Sequence, residues 1–353
     1  MSHSGFVRHA RAALAAATIL GLFGHAAPAA ADFATAFDHY MAKDYDRARR
    51  LAKSDAAGGN PAAQWLLGTM YLLGRGFDAN PEVARDWLEK SASSNYPPAQ
   101  AVLGRMYEQG IGGIKDVEEA HILYRMSAEQ GYADAAYLLG RQYYRGNGVR
   151  KDGKEAVHWL TIAADEGNAD AQYLGARILL DGKIVRMNPE KAAGWLAEAA
   201  EAGHHKAQLL FGDTLMRGLA GDYDPKRGLL WIERAAESGL AEAQLRLGDL
   251  HNNGIDCKPD HQRAYEWWTL AAVQSDATAQ YRLAQAHSKG AGTQEDPLVA
   301  YIWASLSAHH GNTAASELRQ RVVSRLTPQE IAEADRLVAA RIARDASGDG
   351  NNS

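Results

Sequence analysis

Apolar and polar residues follow a pattern in this chain that returns every 36 residues. We number the places of each repeat from zero, which falls at Gln64, Gln100, Ala136, Gln172, Gln208, Gln244 and Gln280. Small residues precede place zero and occupy place four, and apolar residues such as Leu103, Leu139 and Leu247 lie between them. Apolar residues three and four places apart predict one face of an α-helix.

Glycine at place ten predicts the end of this first helix. Glycine tolerates the left-handed conformation in which helices commonly stop. It recurs at Gly74, Gly110, Gly146, Gly182, Gly218, Gly254 and Gly290. Asp or Asn stands at place sixteen, where its side chain can cap a helix N-terminus, and proline follows it in four repeats. A second helix is therefore predicted to begin at place seventeen.

The second helix carries alanines at places 20 and 28 and a large ring at place 23. The rings are Trp87, Trp159, Trp195, Trp231, Trp267 and Trp303, with Leu123 in the second repeat. We predict that each ring is a buried knob among alanines, which contributes roughly 2–3 kcal/mol per repeat. Two antiparallel helices per repeat predict an all-α solenoid, an α-superhelix of stacked helix pairs.

The repeat pattern also predicts how the chain is divided. The predicted parts are a partial repeat at 32–60, seven repeats at 61–312, a partial repeat with a capping helix at 313–346, and a disordered polar tail at 347–353. The segment Thr327-Pro328-Gln329-Glu330 predicts a capping box that opens a last helix through about Arg344. A terminal helix of this kind covers the exposed face of the final repeat.

The first 31 residues have the pattern of a secretory signal peptide. Arg8 and Arg11 precede an apolar run at 12–23, and the small residues Ala29-Ala30-Ala31 follow it as a cleavage site. Because the apolar run is shorter than the roughly 18 residues of a spanning helix, a retained anchor is the weaker alternative. Cleavage after Ala31 removes two arginines and changes the formal net charge from −5 to −7.

Composition excludes several other classes of protein. The chain is 46% hydrophobic and 23% charged, which is typical of a globular protein. Its net negative charge does not indicate binding to nucleic acid or to an anionic membrane. Cys257 is the single cysteine, and it is expected to be inert or to cross-link to a partner. The pairs His204-His205 and His309-His310 lack the spacing of a metal site. No catalytic or cofactor motif is present, so we expect neither enzyme activity nor a cofactor.

Taken together, these positions resemble the Sel1-like repeat, a relative of the tetratricopeptide repeat. Residues 99–110 and 191–203 match its two halves most fully, and the resemblance covers about residues 35–326. It implies an adaptor or regulator that acts through protein–protein contact. Exported bacterial members are linked to envelope signalling, exopolysaccharide control and host interaction, so we expect a periplasmic protein, with secretion to the medium as the alternative.

The tetratricopeptide resemblance implies that the first helices line a concave groove. Place one would present the aromatic residues Trp65, Tyr137, Tyr173 and Tyr281, and place five would present Arg105, Arg141 and Arg177, followed by Asp213 and Asp249. One interpretation is a groove that grips a peptide carrying carboxylates. The other is that the rings are structural and the arginines are solvated or paired within the scaffold. We expect the groove to bind another envelope protein; the alternative is a polysaccharide-associated protein with sugar-stacking rings.

Overall fold

The computed structural model describes residues 29–221, 223–254 and 258–347, which form eighteen helices and no β-strand. The described residues fall into two compact units, divided between Asn188 and Pro189. The first unit contains α1 (Ala29–Met41), α2 (Tyr45–Ala57), α3 (Pro61–Leu73), α4 (Pro81–Ser93), α5 (Pro97–Gln109), α6 (Val117–Glu129), α7 (Ala133–Arg145), α8 (Gly153–Asp165) and α9 (Ala169–Asp181). The second contains α10 (Pro189–Glu201), α11 (His205–Arg217), α12 (Pro225–Glu237), α13 (Ala241–Asn253), α14 (His261–Val273), α15 (Ala277–Lys289), α16 (Pro297–His309), α17 (Thr313–Val323) and α18 (Pro328–Ser347).

The fold is the predicted all-α solenoid of helix pairs. Successive helices pack together from α1 to α9 and from α10 to α17, while α18 packs on α16. Helices α1 and α2 form a complete helix pair before the first repeat. Residues 1–28 of the predicted signal peptide, Cys257, and residues 348–353 of the predicted tail lie outside the described residues. Helix α1 begins within the predicted cleavage site, at Ala29.

The predicted helix ends are confirmed. Gly146 ends α7 in the left-handed conformation with φ of 73°, and the other six place-ten glycines have φ between 63° and 72°. Asp152 caps α8 by accepting hydrogen bonds from the backbone nitrogens of Lys154 and Glu155. The capping box is also present, since Thr327 N donates to Glu330 Oε2 at 2.8 Å and Glu330 N donates to Thr327 Oγ1 at 3.3 Å. The helix that it opens continues to Ser347.

The glutamines at place zero link each first helix to the second helix before it. Gln172 Nε2 donates to Ala164 O at 3.1 Å, and Gln244 Nε2 donates to Ala236 O at the same distance. The last carbonyls of a helix have no partner within that helix. A buried glutamine side chain satisfies one of them, so successive repeats are joined by hydrogen bonds as well as by apolar contact.

The main core position of the second helix is place 24, and this corrects the prediction for place 23. Trp195 and Trp231 are buried as predicted, but the rings of Trp87, Trp159, Trp267 and Trp303 are only half-buried. The place-24 residues are all buried: Leu88, Tyr124, Leu160, Leu196, Ile232, Trp268 and Ala304. The reason is the rotation of the second helix about its axis, which points the place-24 side chain at the glycine of place four. The place-23 side chain lies farther from the core, and Trp267, for example, packs at the margin of the cluster around Ile232 of the preceding repeat.

Candidate functional site

Two tyrosine–arginine pairs lie on the first helices α7 and α9 of the first unit. The Arg141 guanidinium carbon is 5.8 Å from the centroid of the Tyr137 ring, and that of Arg177 is 5.5 Å from the Tyr173 ring. Each arginine follows its tyrosine by four residues, which places both side chains on one helix face. The tyrosines are half-buried and Arg177 is exposed, so this face presents aromatic edges beside positive charge.

Arg141 is held by Glu108 of the preceding first helix, α5. Arg141 Nη2 donates to Glu108 Oε2 at 2.9 Å, and the arginine and glutamate side chains are 22% and 11% exposed. Glu108 also accepts hydrogen bonds from Asn147 Nδ2 at 2.8 Å and from the Tyr124 hydroxyl at 3.0 Å. Burial, reinforced by the Glu108 carboxylate, raises the pKa of Tyr124. Glu108 therefore neutralises Arg141 and fixes it between neighbouring repeats.

In the second unit, the aspartates at place five form ion pairs within the protein. Asp213 Oδ1 accepts from Arg246 Nε at 2.8 Å. Asp249 accepts from Arg282 Nε at 2.9 Å and from its Nη2 at 3.2 Å, and Trp268 Nε1 also donates to Asp249 at 3.1 Å. This corrects the expectation of an acidic end to the groove, because each carboxylate is matched by an arginine of the next repeat.

Trp65 is not the exposed aromatic surface that place one predicts. Its side chain is 4% exposed, and its ring stacks on Phe37 of α1 with 6.2 Å between centroids. On its other side Tyr96 meets it edge-on at 6.1 Å, and burial raises the pKa of Tyr96 to about 12. Trp65 belongs to the core between the first helix pair and the first repeat, because α1 covers it.

The remaining predicted site residues stay on the first helices. Arg105 is half-exposed on α5, and Tyr281 packs beside the core around Ala284 and Ala300. Among the predicted groove residues, α7 and α9 combine a place-one tyrosine with a place-five arginine above its ring, and Arg177 of α9 is exposed. Arg145, one turn beyond Arg141, is exposed at the end of α7 and extends this face. Sequence reasoning missed the role of Glu108. An acid followed by arginine 33 residues later is the signal that could have identified the ion pairs.

The histidine pairs have local contacts. His204 caps α11, with Nδ1 accepting from Ala207 N at 2.9 Å, and His310 Nδ1 lies 2.9 Å from Gln280 Oε1. Among the described residues, no group of three or more His, Cys, Asp or Glu side chains is arranged to hold a metal ion. Within that same part of the chain, no helix has the length and apolar character needed to span a membrane.

Comparison with known proteins agrees with this architecture. The family model of the Sel1 repeat matches seven consecutive ranges: 61–96, 97–132, 133–168, 169–204, 205–240, 241–276 and 277–312. No curated protein matches the chain significantly. Several solved structures are similar, and two of them share about a third of their residues with this chain. One is a protective antigen with an SLR fold from uropathogenic Escherichia coli strains, at 31% identity and a TM-score of 0.80, covering 88% of this chain and 68% of that one.

A second similar structure is a Sel1 repeat protein from Oxalobacter formigenes, at 32% identity and a TM-score of 0.61, covering 68% of this chain and 96% of that one. The same assignment, an array of Sel1 repeats, follows from the repeat matches, the paired helices and these two neighbours. The chain therefore belongs to the Sel1 repeat family, whose scaffold is generally non-catalytic and whose members generally mediate protein–protein interactions.

Proposed function

We propose that the protein is exported to the bacterial periplasm and binds another envelope protein as a scaffold or regulator. Its first 31 residues have the pattern of a signal peptide, and family membership supports protein binding. The similar Escherichia coli protein is described as a protective antigen, a description that fits a protein outside the cytoplasm. The binding surface that we propose is the face of α7 and α9, defined by Tyr137, Arg145, Tyr173 and Arg177.

The observation that carries this proposal is the exposed Arg177 guanidinium over the half-buried Tyr173 ring. The pair is stacked before any partner arrives, so little side-chain entropy is lost on binding. Arg145 adds a second exposed cation at the end of α7. A partner segment with carboxylates and an apolar or aromatic side chain fits this face, because arginine recognises carboxylates and the rings offer flat apolar area.

Site-specific crosslinking in intact cells tests the proposed face. A photoreactive residue at position 177 is expected to capture one envelope protein, which mass spectrometry identifies. The matched control carries the same residue at position 158, which is exposed on the second helix α8. A partner captured equally from both positions contradicts binding through the first-helix face.

Affinity measurements on the purified partner test the chemistry. Arg145→Glu combined with Arg177→Glu is expected to weaken binding by about tenfold or more. In the wild type both cations would bind carboxylates of the partner, and the two glutamates would repel them. Arg141 is left intact, since a glutamate there would face Glu108. Lys226→Glu with Lys289→Glu, two exposed cations of the second unit, supplies the same charge change as a control. Equal affinities for both double variants would refute the assignment of this face.

Glycan retention is the outcome that would favour the polysaccharide alternative. In that case crosslinking yields no protein above background, and Tyr137→Ala with Tyr173→Ala removes glycan binding because the stacking rings are gone. The buried Trp65 cannot serve as a stacking ring in either reading. The expected result is that glycan is not retained and that the tyrosine variant weakens protein binding instead.

Export has its own test. We expect the protein to be recovered from the periplasmic fraction with Asp32 as its first residue, which N-terminal sequencing or intact mass measures directly. Ala29→Arg with Ala31→Arg is expected to block processing, because the cleavage site requires small residues. An uncleaved N-terminus on the wild-type protein in the cytoplasmic fraction would contradict export.

A further inference from the structure

The loops that join the two helices of each repeat differ in charge along the chain. The loops at 147–152 and 183–188 are net positive, through Arg150, Lys151, Lys183 and Arg186. The two earlier loops of the repeat array are neutral, and the three later ones are net negative. Positive charge is therefore concentrated in two consecutive loops, although the chain as a whole is acidic.

These two loops lie against one another in the first unit. Ile184 of the second loop packs over Gly153 at the start of α8, so closely that a methyl group on Gly153 would overlap the isoleucine side chain. Lys151 Nζ lies 5.8 Å from the centroid of the Tyr144 ring, which precedes the first loop at the end of α7. We call the surface formed by residues 147–152 and 183–187 the basic loop edge.

The backbone fixes the position of the first of these loops. Gly148 has φ of 74°, and its α-carbon lies so close to the carbonyl of Val117 that a side chain would not fit. Asn147 Nδ2 donates to Glu108 Oε1 at 2.8 Å, which ties the same loop to α5. The basic loop edge is thus held by the repeats beneath it before any ligand binds.

Cations and apolar side chains alternate on the basic loop edge. All four cations are exposed, Met187 is 56% exposed, and Val149, Ile184 and Val185 are half-exposed. Of the neighbouring acids, Asp152 caps α8, whereas Asp181 accepts from Lys183 Nζ at 2.7 Å and offsets the charge of that lysine. The surface therefore combines exposed positive charge with apolar area at loop tips.

We propose that the basic loop edge binds the surface of an anionic phospholipid membrane, independently of the protein-binding face on α7 and α9. Lysine and arginine are attracted to anionic headgroups, and apolar side chains between them enter the boundary of the acyl chains. A soluble polyanion would use the cations but leave Met187 in water. The acidic remainder of the chain does not prevent this contact, because charges beyond about 10 Å are largely screened in 0.1 M salt.

Vesicle cosedimentation tests the proposal on the protein purified in the form that the cell produces. The probes are vesicles of equal parts phosphatidylglycerol and phosphatidylcholine, compared with vesicles of phosphatidylcholine alone. We expect binding to the anionic vesicles to weaken as salt is raised. Arg150→Glu with Arg186→Glu is expected to reduce that binding by about tenfold or more, since each cation near an anionic surface contributes separately.

Two further variants make the result specific. Lys226→Glu with Lys289→Glu makes the same change in net charge away from the basic loop edge and is expected to bind like the wild type. Met187→Ser is expected to reduce binding several-fold while leaving helicity unchanged. Equal binding by both charge-reversed variants overturns the proposal, and so does an unchanged affinity of Met187→Ser, which would indicate a site for soluble polyanions.

Discussion

At place four, the absence of one methyl group sets how closely the two helices of a repeat approach. A β-carbon on Gly140 would lie 2.9 Å from Leu160 Cγ and 3.1 Å from Ala156 O, and one on Gly212 would meet Ile232 at 2.6 Å. In the seventh repeat the pair is Ala284 with Ala304, and in the fourth repeat it is Ala176 with Leu196. In the repeats with glycine at place four, the residue at place 24 fills the space where a β-carbon would lie.

Double-mutant analysis of Gly140 and Leu160 tests whether the two places compete for this space. Gly140→Ala is expected to lower the free energy of unfolding by about 1–3 kcal/mol through overpacking. Leu160→Ala is expected to lower it by about 2–5 kcal/mol through the cavity. The double variant should lose at least about 0.5 kcal/mol less than the sum, because the alanine methyl enters the space that leucine leaves. Urea denaturation provides all three values.

Gly194→Ala is the matched control for that experiment. Gly194 lies within α10, and no heavy atom comes within 4 Å of an added methyl group. Alanine should therefore be neutral or stabilise the fold by up to about 1 kcal/mol, since glycine is the weaker helix former. Strict additivity of the Gly140 and Leu160 changes would contradict contact between them.

Residue identity predicted which part of the second helix carries a core side chain, but not whether place 23 or place 24 is the buried one. Tryptophan at place 23 recurs so regularly that size and repetition pointed to it as the core residue. Place 24 varies in sequence, from Leu88 and Tyr124 to Ala304, and yet it is buried in every repeat. A rotation of one residue is about 100° around a helix, and the sequence pattern did not determine the phase to that accuracy.

At the scale of helices, two histidines lie at equivalent contacts between a second helix and the first helix that follows it. In one contact the histidine belongs to the second helix, and in the other it belongs to the first helix. On α6, His121 Nδ1 lies 3.0 Å from Gln142 Oε1 of α7, and its ring meets Tyr143 at 5.4 Å. In the second unit the order is reversed, with the Tyr265 hydroxyl of α14 3.1 Å from His287 Nε2 of α15. Burial is the largest cause that lowers the pKa of both His121 and His287 from the ordinary value of 6.5.

Stability is therefore expected to fall as the pH drops from 7 towards 5. Below a pH of about 6.5 the histidines of the unfolded chain take up protons, while those of the folded protein stay neutral until lower pH. Protons then favour unfolding. Urea midpoints measured across this range should decrease, and His121→Gln with His287→Gln should flatten the decrease. An equally steep decrease in the double variant would contradict the assignment to these two contacts.

Helix boundaries were predictable because they depend on single residues with local effects. Glycine at place ten and Asp or Asn at place sixteen act through their own backbone and side chain, without any distant partner. The charges on the first helices depend on the next repeat: Arg141, Arg246 and Arg282 each meet an acid 33 residues earlier. Trp65 was misplaced for the same reason, because the burying element α1 precedes the repeat pattern.

At the scale of the whole molecule, a repeat array must cover its last repeat, and α18 does so at the C-terminal end. It packs on α16, where the Tyr301 hydroxyl donates to Asp335 Oδ1 at 3.0 Å and Ala334 is fully buried. Farther along, Arg341 Nη2 donates to Val273 O at 2.7 Å, reaching the end of α14. Helix α18 thus joins the final helices to a repeat that ends about 70 residues earlier in the chain.

Ala334→Asp tests whether this helix supports the second unit. The carboxylate would be buried against α16, so the free energy of unfolding is expected to fall by about 3 kcal/mol or more. Leu337→Asp places the same group one turn away, at a side chain that is 49% exposed, and should cost less than about 1 kcal/mol. Thermal melts followed by circular dichroism compare the two. If Ala334→Asp melts like Leu337→Asp, then α18 is not a structural cap, and the hydrogen bonds of Tyr301 and Arg341 do not hold it in place.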